Sequence, residues 1–142
     1  MSAASIPLTL PKAAISEDLI QRLVHAFYDR VLRDEALSPI FKDRIGHRWD
    51  EHLAMMVDFW SSVALTTGRY AGKPHLAHRG LGLAPNDFQR WLTLFEATAD
   101  ETCGEAAAFF IDRAHRIADS LMIGLAIGPK ALTLPTPAEA RS

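Results

Sequence analysis

GRYAGKPHLAHRGLGLAPNDFQRWLTLF, residues 68–95, is the stretch that decides how this chain is read. Its first half cannot be one long regular element. Glycines at 68, 72, 80 and 82 and prolines at 74 and 85 favour loops or a single short helix. Two histidines, His75 and His78, lie inside that irregular stretch. The second half changes character: Asn86 and Asp87 supply a helix start, and Phe88, Trp91, Leu92, Phe95 and Ala99 recur at helical spacing until about Gly104.

The flanking segments repeat the helical pattern. Upstream, Trp49 to Thr67 carries Leu53, Met56, Phe59, Trp60 and Val63 on one side and is expected to end at Gly68. Earlier still, Ser16 ahead of Glu17 and Asp18 is a capped start for Leu19, Leu23, Val24, Phe27, Val31 and Leu32, and Pro39 opens a new local element. Downstream, a fourth long helix is expected from Glu105 to about Ile127, through Phe109, Phe110, Ala114, Ile117, Leu121 and Leu125, stopped by Gly128-Pro129. No segment alternates polar and apolar residues and no repeat is present, so the expected fold class is all-α. The expected organisation is an N-terminal extension over 1–15, one domain over 16–128 and a flexible tail over 129–142.

Composition narrows the function classes. The chain has 142 residues, 49% of them hydrophobic and 23% charged, with a formal net charge of −2. That is the profile of one ordinary globular domain, with neither the charge of a disordered chain nor a basic surface for nucleic acid. Cys103 is a single cysteine, so an internal disulfide, a zinc ribbon and covalent haem attachment through C-x-x-C-H are excluded. A reducing, cytoplasmic setting fits, with no membrane span expected: Leu121 to Ile127 is too short for a bilayer core of about 30 Å. Phosphate-loop, H-E-x-x-H and G-x-S-x-G signatures are missing.

Six histidines in a helical domain invite a metal reading. His25 and His115 sit among charged neighbours and read as surface residues, as does His47 beside Arg48. His52 shares a helical face with Met56 and Trp60, which places an imidazole in line with large apolar groups. A buried histidine is more often a hydrogen-bonded core residue than a ligand. Tyr28, next to Phe27, either packs as core or offers a neutral hydroxyl donor to a dry pocket. His78 stands where a short turn could aim it into a cavity between two helices, and imidazole is a usual axial ligand of haem iron. The spacing does not exclude His75, three residues earlier, which lies on the same face if that turn is helical. The aromatic faces built from Phe59 and Trp60, and from Phe88, Trp91 and Phe95, are ordinary core or the walls of a flat apolar cofactor.

Taken in order, Phe27-Tyr28, Leu37-Ser38-Pro39-Ile40-Phe41, Trp49 with Glu51-His52, Phe59-Trp60, Tyr70-Ala71-Gly72-Lys73-Pro74, His78, and Asp87 to Leu92 with Phe95 resemble a group III truncated haemoglobin of bacterial type. The resemblance covers roughly Leu19 to Leu125. It implies a two-over-two helical sandwich around haem b, with His78 as proximal ligand in preference to His75. On the distal side it implies Tyr28, His52, Met56 and Trp91, with Phe41 against the haem face and Phe27 and Phe95 in the surrounding aromatic wall. Tyr28 and Trp91 would donate to O2 or a peroxide, and His52 would gate access or bind iron. Gly80 and Gly82 just beyond His78 are a departure that loosens the proximal turn. Arg79 and Tyr70, with Lys73, His47 and Arg48, are the candidate partners of the haem propionates.

The function so implied is binding of O2, CO or NO by a monomer or weak dimer, including oxygen transport. The alternative on the same site is a haem redox enzyme for NO dioxygenation or peroxide reduction, served by a reductase. A helical non-haem metal binder or sensor bundle is the third reading.

Overall fold

The computed structural model describes residues 14–125, apart from the side chains of residues 75 and 76. The expected tail over 129–142, and most of the expected N-terminal extension, fall outside them. Ile15, assigned to that extension, is buried in the core.

Helix α1 runs Glu17–Arg33. The Ser16 hydroxyl accepts from the Leu19 backbone N–H at 3.1 Å, and Glu17 and Asp18 lie in the positive first turn. Leu19, Leu23, Val24, Phe27 and Val31 are buried as the apolar stripe requires, with Ile20 and Tyr28 beside them. A short helix α2, Leu37–Ile45, starts two residues before Pro39. Its cap is Asp34, whose carboxylate accepts from the backbone N–H groups of Ala36 at 3.1 Å and Leu37 at 2.9 Å.

Helix α3 is Trp49–Leu65. It stops short of Gly68 because Thr66 itself turns left-handed, with φ 54° and ψ 37°. The irregular stretch holds one helical turn, α4, Pro74–Ala77. Helix α5, Pro85–Thr102, has proline in its first position, where no N–H is needed. The Asp87 carboxylate accepts from the Ala84 N–H at 2.9 Å. A 3₁₀ turn, Gly104–Ala106, leads into α6, Ala107–Gly124.

Packing makes two layers. Helix α1 lies against α3 on one side and α5 on the other, and α5 lies against α6. Phe27, Phe95 and Phe110 are fully buried where these helices meet. Trp60 stacks on Phe95 at 5.1 Å and Phe95 on Trp91 at 5.5 Å, so one aromatic column joins α3 to α5. Among the described residues no strand is present, and no helix is long and apolar enough to cross a membrane.

Asp34 also latches α1 to α5, because Arg90 Nε donates to its Oδ2 at 2.7 Å. This guanidinium holds the Asp34 carboxyl below its ordinary pKa, and the two backbone donors act in the same direction. A depressed carboxylate pKa adds stability that is complete above the unfolded value of about 4 and fades as pH falls through the folded value. Asp34→Ala is therefore expected to cost about 1–2 kcal/mol at neutral pH through the lost cap. The stability gap between the two proteins should begin to narrow below pH ~4, where the unfolded carboxyl is protonated, and close further as pH falls through the lower folded value. A gap of constant size down to pH ~3 would remove the ionised carboxylate from the account.

Candidate functional site

Helical periodicity turns Met56, Phe59, Trp91, Ile117 and Leu121 inward, yet each is only half-buried. All five line one cavity of about 400 Å³ whose walls come from α1, α3, α5 and α6, with α2 and α4 at its edges. What these side chains face is a space. An apolar occupant there would gain about 25 cal/mol for each Å² of apolar surface it covers.

The polar groups in that wall are few. Tyr28 is held by rings on several elements: Phe27 at 4.9 Å, Phe41 at 5.8 Å, Trp49 at 6.1 Å and His52 at 4.9 Å, all edge-on. Burial pushes its phenol well above the ordinary value, so it remains a neutral donor. Among the described residues its hydroxyl has no hydrogen-bond partner. His52 lies in the same cluster, 5.7 Å from Trp49 and 6.4 Å from Phe41. Its Nε2 is buried with no partner among the described groups. Burial first, and the charge of His78 second, bring its pKa down to about 4, so the ring is neutral at neutral pH.

His78 follows α4 and lines the cavity from another side. Its Nδ1 lies 2.6 Å from the carbonyl oxygen of Pro74, which can only accept. Nδ1 therefore carries a proton, so Nε2 is the ring nitrogen left to bind a metal. His75 shares α4, but its side chain is outside the described ones.

The other residues singled out in the sequence divide. Phe41, Met56, Tyr70 and Trp91 line the cavity together with Tyr28, His52 and His78. Phe27 and Phe95 do not; they stand behind the wall, supporting Trp91 edge-on at 5.5 Å and by stacking. Arg79 lies outside the lining, its carbonyl engaged by Arg44. Of the remaining cationic candidates only Arg48 borders the cavity, while Lys73 and His47 do not. Arg44, unremarked in the sequence, borders it too. Among the aromatic neighbours, a Cβ at Gly72 would fall 2.4 Å from the Tyr70 hydroxyl oxygen, so glycine there lets the Tyr70 ring fold back over the chain. His25, His47 and His115 are exposed, and His115 pairs with Glu96.

Residues 14–119 match the Bacterial-like globin family. A group 3 truncated hemoglobin of Campylobacter jejuni is 35% identical over 109 residues, covering 73% of this chain and 86% of the relative. The chain is a group III truncated haemoglobin of the bacterial-like globin family. Its fold agrees: the crystal structure of a group III truncated hemoglobin from Campylobacter jejuni superposes with a TM-score of 0.73 at 34% identity, over 78% of this chain and 91% of that one. Membership of the globin family implies haem binding, and the residues in the cavity of this globin fit such a group. It has a histidine with a committed Nδ1, a second histidine whose buried Nε2 lacks a partner, and apolar walls left half-covered.

Proposed function

We propose that the cavity takes haem b, that His78 binds its iron, and that a diatomic gas, O2, CO or NO, binds on the side walled by Tyr28, His52, Met56 and Trp91. Held by His78, the haem would supply an iron able to bind a small diatomic ligand. The observation that carries the reading is the fixed tautomer of His78 in a cavity where two further polar groups, the Tyr28 hydroxyl and His52 Nε2, have no protein hydrogen-bond partner among the described residues. A non-covalent haem is supported by the single cysteine, Cys103, which is buried and offers no paired thioether attachment.

The chain's own groups have distinct tasks. Phe41 and Met56 exclude water. Tyr28 and the Trp91 indole N–H donate to a ligand that develops negative charge, and both are neutral donors. His52, neutral beside Tyr28, restricts entry to the same space. Arg48 and Tyr70 border the cavity, and they would pair with the propionates.

Mixing the purified chain with hemin should produce a Soret band that shifts when CO is added to the reduced protein. A chain that yields no Soret band beyond that of free hemin would sink the proposal.

A further inference from the structure

Arg44 belongs to α2, but its guanidinium acts on the turn that carries His78. Nη1 donates to the Ala77 carbonyl at 2.5 Å and Nη2 to the Arg79 carbonyl at 2.7 Å. These are the residues immediately before and after His78. Helix α4 is only four residues long, and its backbone contributes the bonds from Ala77 N–H to Lys73 O and from His78 N–H to Pro74 O, both 3.2 Å. One turn does not support itself in water. Left-handed Gly80 and Gly82, with φ 78° and 69°, follow directly, so the backbone gains no stiffness from that side. A Cβ at Gly80 would lie 3.8 Å from Arg44 Nη2, which places the guanidinium against this turn.

We propose that Arg44 is a positioning residue: by bridging the carbonyls of residues 77 and 79 it fixes the orientation of the His78 imidazole. This rests on the haem reading above and deepens it. A guanidinium presents several N–H groups in a rigid plane and can hold two carbonyls at once, whereas a lysine ammonium is a point charge on a flexible stem. The bridge also ties the turn to α2, the helix that contributes Phe41 to the cavity. The Pro74 carbonyl sets the tautomer of His78, and Arg44 sets where its backbone stands.

The test compares Arg44→Lys and Arg44→Ala with Lys42→Ala, which removes a charge from the same helix away from the cavity. In the reduced, ligand-free holoprotein, both Arg44 variants should broaden and shift the iron–histidine stretching band in the resonance Raman spectrum. Both should lose haem on the order of 10-fold faster, the usual scale for a group that orients a metal ligand. Lys42→Ala should leave both readouts unchanged. If Arg44→Lys restores the band and the haem-loss rate, Arg44 is acting as a charge toward a propionate and the positioning role is overturned. An unshifted band in both variants overturns it as well. Hydrogen exchange of the 77–80 amides in the chain as purified should accelerate in both Arg44 variants, and unchanged exchange refutes the bridge. Failure of the haem reading shows separately, as the absence of a Soret band in the unmodified chain.

Discussion

His78→Ala should release haem to a scavenging apoglobin more than about 100-fold faster than the unmodified chain, since losing an orienting neighbour alone costs 10–100-fold in metal affinity. On the proposed reading, the backbone around His78 would set its ring for iron before any metal arrives. The 2.6 Å contact with the Pro74 carbonyl fixes which nitrogen is protonated, and the same carbonyl takes the His78 backbone N–H at 3.2 Å. His52 is poorly placed to take over. Its ring is packed edge-on among Tyr28, Phe41 and Trp49, and moving it would break contacts that hold the cluster together. Free imidazole added to His78→Ala should recover part of the Soret band, because the truncated side chain leaves room for the lost ligand. His75→Ala is the matched comparison, and haem loss as fast as in His78→Ala would reassign the iron ligand.

Much of this architecture was legible in the sequence where the determinant is local. The Ser16 cap, the α1 stripe and the aromatic face of α5 follow from spacing alone, and the structure has them. Periodicity has a blind side, however: it reports that Met56, Trp91 and Ile117 turn inward and says nothing of whether protein or space awaits them. Their half-burial carries that information. Contacts made by long polar side chains across the chain were equally invisible. Asp34 meets Arg90 across 56 positions, and Arg44 meets Ala77 across 33. Position along the chain offers Arg79, Lys73, Tyr70, His47 and Arg48 to the propionates and passes over Arg44, which borders the cavity. The end of α3 was misplaced for a different reason: glycine is the default left-handed residue, but Thr66 takes that conformation two positions earlier. Spacing leaves His78 and His75 both open, because they lie within the same short irregular stretch, and the preference for His78 comes from the family resemblance.

Tyr28→Phe should speed O2 dissociation roughly 5- to 150-fold, corresponding to a hydrogen bond of about 1–3 kcal/mol in a dry pocket. The substitution removes the hydroxyl and little else. Phenylalanine keeps the edge-on contacts with Phe27, Phe41, Trp49 and His52, so the ring should stay in place and the core should not open. The hydroxyl breaks no protein hydrogen bond when it turns to a ligand, since none of the described groups accepts from it. Burial keeps the phenol protonated across the neutral range, and the rate difference should therefore hold from pH 6 to 9. CO is a weaker hydrogen-bond acceptor than O2, so its dissociation should change much less, which separates a lost donor from a general loosening of the pocket. Haem retention and the melting temperature should stay close to those of the unmodified protein. An unchanged O2 rate would transfer the donor role to Trp91, whose ring is held by stacking on Phe95 at an interplanar angle of 16°. Equal acceleration of O2 and CO would instead mean that Tyr28 acts by filling space.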